Sequence, residues 1–547
     1  MKPIEKEIFE FWKQINPDIT FKMGLNDYAA TMFIPFTENV AAANKHVQTL
    51  KKRTKDPRIK KFLVAMEYSY KYPEPMDGPN IIFGVIEDHL MKEGIDAKHL
   101  ELLIEQSYGA LDAYTEECCH LQWPIEIRIL TTNACNNLIS LLKTIEKNAR
   151  SKHLQQDLEK LINKVRKFRD DYKVKEIKRG DFGEVYPILK RRSKYINRKG
   201  HYARILKHAY DYSETPEQIE NKAMKWLEED LKALKLIKKN ISHMYNCKNT
   251  TKDIEKEIKK RTGLPRADLI DTAKKLNKLL RPIMEKNFIE ISKTHKSEII
   301  ETPSYLTTVL PTAALTTFNN LGKEFKNVIY ITTDEKAAPA DSMPSLLNTF
   351  IHEEYGHGVN MSNTVNAYHK KKISVLSVIS DLDIPITEGI SFNREYETMA
   401  YFKDLLIKEL TKEERALIHF LEKFGGLEEI VDFMEYELYK WRVIRFLRAI
   451  CDVRVNTNKQ GYYRFVEWAY RFTGLKRKDV YDQTFFFIET PGYPPAYSLA
   501  GMFLMDLQRN SNAPLKKINT YAASVGFPGK SIWEKQLTQE FPAQVYK

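Results

Sequence analysis

The residues best suited to chemistry lie in one short run, His352-Glu353-Glu354-Tyr355-Gly356-His357. Two imidazoles beside carboxylates are donor types that a divalent ion such as zinc takes, and a catalytic site keeps one further position open. The spacing is the difficulty. Histidines four apart lie about 40° apart around an α-helix and can share an ion, whereas five apart they lie about 140° apart and diverge. A shared ion therefore requires a local wide turn, a π-bulge, that absorbs one residue. Gly356 stands where that distortion would fall, and glycine tolerates unusual backbone angles. On this run alone, two independent core or capping histidines explain the pattern as well.

A third donor is needed, and "ITEGISFNREYE" supplies candidates. Glu388 and Glu395 are seven apart and so share one helical face. Glu388 is the candidate oxygen ligand from a second helix. Glu395 could hold a ligating imidazole by its other nitrogen. Glu353, directly after His352, is the candidate general base, taking a proton from a metal-activated water and passing it to a leaving amine. Glu354 is the neighbouring alternative, less well placed on a helix.

The elements that must position these groups are mostly helical. "ETPEQIENKAMKWLEEDLKALKLI" opens with Thr215 as N-cap, Pro216 in the first turn and Gln218 completing a capping box. Apolar stripes at helical spacing run through residues 136–168, 265–294, 400–424 and 427–450. Residues 173–206 break the pattern with Gly180, Gly183, Pro187, Gly200 and many cations. The expected organisation is an N-terminal helical lobe (1–172), a basic junction (173–206), a catalytic region (207–510) and a C-terminal extension packed on the body (511–547). Asp181-Phe182-Gly183 has no accompanying glycine-rich loop or HRD sequence and is set aside. The best strand is "NVIYITTD", Asn327 to Asp334, β-branched and close before the histidine run. The fold class expected is mainly α with a small sheet beside the metal-binding helix.

Composition narrows the function classes. Of the 547 residues, 43% are hydrophobic and 29% charged, which describes an ordinary folded chain. No run of about 18 apolar residues indicates a membrane span, and the acidic, amphipathic start lacks a secretory core, so a cytoplasmic location and no membrane partner are expected. The five cysteines form no CxxC pair, and Cys119-His120 reads as incidental because adjacent helical residues diverge. Lys plus Arg exceed Asp plus Glu by 13. That excess is diluted along the chain, densest at Lys190–Lys199, without a finger, RNP or zipper pattern, so no nucleic acid is expected.

Six segments in order resemble a zinc-peptidase family catalogued as domain of unknown function 885. They are "TPSYLTTVLP" (Thr302–Pro311), "NVIYITT", "HEEYGH", "EGISFNRE", "RFLRAICDVRVN" (Arg445–Asn456) and "TPGYPPAYSLAG" (Thr490–Gly501), spanning about residues 200–510. The wider resemblance is to α-helical gluzincin metallopeptidases, and the HExxxH spacing is similar to that of dipeptidyl peptidase III. It implies two helical lobes flanking a deep active-site cleft. It further implies one zinc ion per chain on His352, His357 and Glu388, with Glu353 as base. Tyr497 is implied as the donor to a developing oxyanion, with Tyr493 a nearby substitute. The backbone of "NVIYITT" is implied to pair with an extended peptide. Arg445 and Arg448 match an arginine pair that holds a substrate carboxylate or pairs with Asp452. Against the family pattern, this chain has one residue fewer between its histidines, Asn456 for a histidine, Phe486-Phe487 for Arg-Tyr and Ile390 for a tryptophan.

The expectation is a zinc-dependent hydrolase acting on short peptides by metal-activated water attack. Manganese or cobalt can occupy such a donor set. The competing expectation is a catalytically inactive, metallopeptidase-like helical protein that binds a peptide or protein partner.

Overall fold

Helical spacing in the sequence becomes helix in the chain wherever caps and breakers allow it. The computed structural model describes residues 2–94, 98–178, 180–303, 306–307, 313–322, 324–334 and 341–543. The fold is mainly α with one small three-stranded sheet. Helix Pro216–Met244 starts as its capping box dictates, with the Thr215 hydroxyl accepting from the Gln218 N–H. Other stripes are cut. The 136–168 stripe is shared by helices Ile125–Asn148 and Lys152–Tyr172, the second capped by Ser151. The 400–424 stripe is shared by the ends of Ile384–Asp404 and Lys412–Leu421. No helix among the described residues is long and apolar enough to cross a membrane.

Several cores hold these helices. Leu103, Leu111, Leu138, Leu142, Leu158 and Val165 form one within the N-terminal helices. Trp12, Leu50 and Leu63 from the first helices pack instead on Val365, Val375 and Ile379, just beyond the histidine run. Ile386, Ile390, Ala500, Leu504 and Trp533 join helices Ile384–Asp404 and Pro495–Asn510 to the C-terminal segment. Burying each such side chain contributes about 1.5–3 kcal/mol.

The sheet has the order β1 (Ser297–Glu301), β3 (Lys326–Ile331), β2 (Ala313–Phe318). β1 runs parallel to β3, with Ile299 opposite Ile329. β2 runs antiparallel, with Leu315 opposite Ile329. This corrects one expectation. "NVIYITT" is the central strand, paired on both sides, so its backbone is committed to the sheet and cannot receive a peptide. Of "TPSYLTTVLP", Ser304, Tyr305 and Thr308–Pro311 lie outside the described residues.

Candidate metal centre

Helix Met343–Phe350, capped by Ser342, leads into a π-helical segment, Ile351–Gly358, and then into helix Val359–His369. The Val359 N–H reaches the Glu354 carbonyl five residues back. Such a turn holds about 4.4 residues, so side chains five apart return to within about 50° of each other. His352 and His357 accordingly meet, Nε2 to Nε2, at 3.1 Å. The wide turn that the spacing required is present. Gly356, however, serves packing rather than backbone freedom. Its φ is not positive. A Cβ there would lie 2.6 Å from Ser391 Cβ and 2.7 Å from Ser391 Cα, with Oγ closer still. Glycine lets the π segment sit directly on helix Ile384–Asp404.

That close approach delivers the third donor. Glu388 Oε2 lies 3.6 Å from His352 Nε2 and 3.7 Å from His357 Nε2. Ligands about 2.0–2.1 Å from a tetrahedral zinc lie about 3.3 Å from one another, so the three atoms fit three corners of such a tetrahedron. Glu388 Oε2 is also buried without a hydrogen-bond partner among the described residues. A buried carboxylate oxygen is costly unless something satisfies it, and a cation facing both imidazoles would. The side chains of His352 and His357 remain 13% and 20% exposed, leaving an approach from solvent. The residues present fit a divalent ion.

A polar scaffold fixes the donors. Glu395 Oε1 accepts from His352 Nδ1 at 2.6 Å, which aims the Nε2 lone pair at the site. Arg445 grips both Glu395 oxygens at 2.7 Å. Arg445 thus pairs with Glu395, not with Asp452. Asp452 accepts instead from the Gly492 N–H at 2.9 Å and from the Tyr202 hydroxyl. Gly492 has a φ of +91°, and a Cβ there would lie 2.8 Å from the Tyr210 ring. The turn it makes places Tyr493, whose hydroxyl donates to Glu388 Oε1 at 2.5 Å. Tyr493 therefore holds a donor in place. Gly389 and Gly501 bring helices Ile384–Asp404 and Pro495–Asn510 close, since a Cβ on Gly389 would lie 2.5 Å from Ala500 Cβ.

The two glutamates at the centre bear different loads. Glu353 Oε2 accepts from the Leu315 N–H of β2 at 3.1 Å. Glu354 turns into a buried network, 2.9 Å from His295 Nε2 and also bonded by Ser297. His295 in turn meets Ser362, and Asn327 of β3 bonds the same pair. Glu354 thus ties the π segment to the sheet. Tyr497 stands beside Tyr493, ring centroids 5.6 Å apart, with Arg445 and Arg448 against its ring.

Electrostatics favour a cation. Burial raises the cost of charging Glu388, but His352, His357 and Tyr493 outweigh it and hold the carboxyl down to about 2. Burial likewise opposes Glu395, yet Arg445 and His352 hold it down to about 2. Burial lowers the His357 imidazole. Against burial, Glu388 and Glu395 lift His352 to about 10, so in the ion-free site a proton occupies Nε2, and the Nε2 lone pair is free for a metal ion only as that ion takes the proton's place. Two ionised carboxylates in a half-dry site attract positive charge.

Sequence reasoning did not find the His295–Glu354 network, the Leu315 N–H or the Gly356–Ser391 contact. Only the glycine carried a signal, lying one residue from a candidate ligand. The positions that differ from the family pattern are structurally used. Asn456 bonds Asp452 and Arg198. Ile390 is core. Phe487 stacks on Arg448 with the guanidinium 4.3 Å from its ring centre.

Solved structures share this fold, among them the following two. One is described as "the putative lipoprotein from Colwellia psychrerythraea". It matches with a TM-score of 0.59 at 13% identity, over 98% of this chain and 98% of that one. The other is "a putative lipoprotein of unknown function from Shewanella oneidensis", with a TM-score of 0.65 at 14% identity, over 98% of this chain and 99% of that one. At these identities the likeness is of fold alone. No family model matches the chain, and no curated protein does.

Proposed function

We propose that the chain is a zinc-dependent peptidase that hydrolyses short peptides at the His352–His357–Glu388 centre. The observation that carries the proposal is the triangle of donor atoms, closed by a buried Glu388 oxygen without a hydrogen-bond partner among the described residues. A zinc ion held there supplies Lewis acidity, polarising a carbonyl and lowering the pKa of water.

The remaining chemistry belongs to the chain. Glu395 keeps the His352 proton on Nδ1 and so presents Nε2 as a lone pair. Glu353 is anchored through Oε2 by the Leu315 N–H, and its other oxygen takes the proton of the attacking water and returns it to the leaving amine. Burial raises the Tyr497 phenol to about 12. It therefore stays protonated at neutral pH and donates to the substrate oxygen on which negative charge develops. Tyr493, committed to Glu388, is a positioning residue.

The test is hydrolysis of a mixed peptide library by zinc-supplied protein beside Glu353→Gln. Cleavage by the wild type that is lost with a chelator, and lost in a variant still holding zinc, supports the proposal. No cleavage by zinc-loaded wild type, or equal cleavage by the variant, overturns it.

A further inference from the structure

A cavity of about 240 Å³ lies against the scaffold of the metal centre, walled in part by Tyr68, Tyr72, Tyr210, Ile384 and Pro491. The acid that lines it is Asp381. Ile384 opens the helix that carries Glu388 one turn later, and Pro491 precedes the turn whose Tyr493 holds Glu388. Pockets that take drug-sized ligands measure about 300–1,000 Å³, so this smaller space suits a single side chain.

Its charge is unbalanced. Asp381 is half-buried, and no described residue hydrogen-bonds or ion-pairs with its side chain. Burial and then the charge of Asp18 push its carboxyl up to about 6, and no cation offsets them. Asp383 is pushed up to about 7 by burial and then by Asp381, and it too has no ion pair among the described residues. Asp18 is raised by burial and by Asp88; Lys22, which opposes this, pairs with Asp88 at 2.7 Å. Crowding carboxylates into a half-dry space opposes their ionisation, and an incoming cation relieves that cost.

The cation is not a bare metal ion. Among the described residues, three donor atoms come within 4.8 Å of one another at His352, His357 and Glu388, and the aspartates do not converge so closely. They suit a larger cation that donates hydrogen bonds. Tyr72 supplies a further acceptor, because its hydroxyl is buried without a hydrogen-bond partner among the described residues. Tyrosine faces also attract cations. Lys71 already lies over Tyr68 at 4.6 Å and Arg204 over Tyr72 at 5.7 Å. Neither pairs with Asp381, whose charge is left for an incoming group.

We propose that this cavity binds an organic cation, a primary ammonium or a guanidinium, with Asp381 as its counter-charge and Tyr72 as a second acceptor. The cation comes from a basic side chain or from the amino terminus of a peptide. The site is distinct from the zinc centre and stands whether or not that centre cleaves peptides.

The experiment measures binding, not turnover. Full-length protein carrying Glu353→Gln, with zinc supplied, is titrated calorimetrically at pH 7 with three probes. These are N-acetyl-Ala-Lys-Ala amide, N-acetyl-Ala-norleucine-Ala amide and Ala-norleucine-Ala amide. The first carries a side-chain ammonium, the second no charge and the third an amino-terminal ammonium. A charge-assisted hydrogen bond corresponds to about ten- to hundredfold in affinity. A charged probe is expected to bind tighter than the neutral one by that factor, and Asp381→Asn to remove the difference while leaving the neutral probe unchanged. Preference for the lysine probe identifies a basic side chain as the source, and preference for the third probe identifies the amino terminus. Asp381→Asn relieves repulsion from Asp18, so it should melt no lower than the parent protein. Asp381→Ser, also neutral, carries the same test should Asp381→Asn melt early, and Asp381→Glu should keep part of the preference. Equal binding of all three probes, no binding of any, or a preference that survives loss of the Asp381 charge overturns the proposal.

Discussion

Gly356→Ala should loosen the metal centre without unfolding the protein. The added Cβ would lie 2.6 Å from Ser391 Cβ and 2.7 Å from Ser391 Cα. Carbon atoms settle at about 3.5–4.0 Å, so the π segment and helix Ile384–Asp404 must part by about 1 Å. Ser391 lies between Glu388 and Glu395 on that helix. The retreat carries Glu388 Oε2 from its present 3.6 Å and 3.7 Å from the two Nε2 atoms to about 4.6 Å, well beyond the edge of about 3.3 Å that tetrahedral zinc requires. Overpacking of this kind costs about 1–3 kcal/mol of stability. Loss of donor geometry should weaken zinc by about tenfold or more, as disturbing the support of metal ligands generally does. Competition with a chromophoric chelator measures the affinity, and circular-dichroism melting measures the stability. Ser391→Gly removes two of the three clashing atoms, so the double variant should recover part of both losses, a coupling read from the double-mutant cycle. Wild-type melting and wild-type zinc affinity in Gly356→Ala, or loss with no recovery in the double variant, would refute the reasoning.

Other perturbations have defined outcomes. Glu395→Gln removes the charged acceptor of His352 Nδ1 and the partner of Arg445, and zinc affinity by the same competition should fall about 10- to 100-fold. An unchanged affinity would count against the role given to Glu395. Tyr497→Phe should lower kcat about 10²- to 10³-fold with KM little altered, because its hydrogen bond forms as charge develops; a pure KM effect in steady-state kinetics would contradict that role. Burial raises the Glu489 carboxyl from its ordinary 4.5 to about 8. The folded chain therefore keeps a proton there that the unfolded chain releases. This stabilising contribution is complete below about pH 4 and is lost as the pH rises to about 8. Glu489→Gln removes that loss, so urea denaturation at pH 5 and pH 8 should differ less in the variant than in the wild type. A difference as large or larger would show that another group sets the slope.

Local information carried a good part of this architecture. Apolar stripes at helical spacing announced a mainly α chain, and Thr215 with Gln218 announced where one long helix begins, because caps act within a single turn. The five-residue histidine spacing announced a wide turn, since no regular helix brings those side chains together. Glu388 and Glu395, seven apart, were readable as one face. What could not be read depends on how distant elements cross. Arg445 satisfies Glu395 rather than Asp452, seven residues further along its own helix, because helix Ile384–Asp404 lies against it. Tyr493 is drawn to Glu388 by a turn that Asp452 ties down from another helix. "NVIYITT" reads equally well as an edge or a central strand, and its place between β1 and β2 follows from pairing across the sheet. Gly356 suggested backbone freedom, and only the seating of Ser391 against it revealed close packing as its purpose.

The most direct test is metal content by mass spectrometry on protein purified without chelator, wild type beside His357→Ala. About one zinc per wild-type chain, absent from the variant, is expected, because His357 supplies one of three donors and the remaining pair cannot hold the ion alone. No metal in the wild type after zinc is added back, or an equal metal content in the variant, would contradict a zinc ion shared by the two histidines.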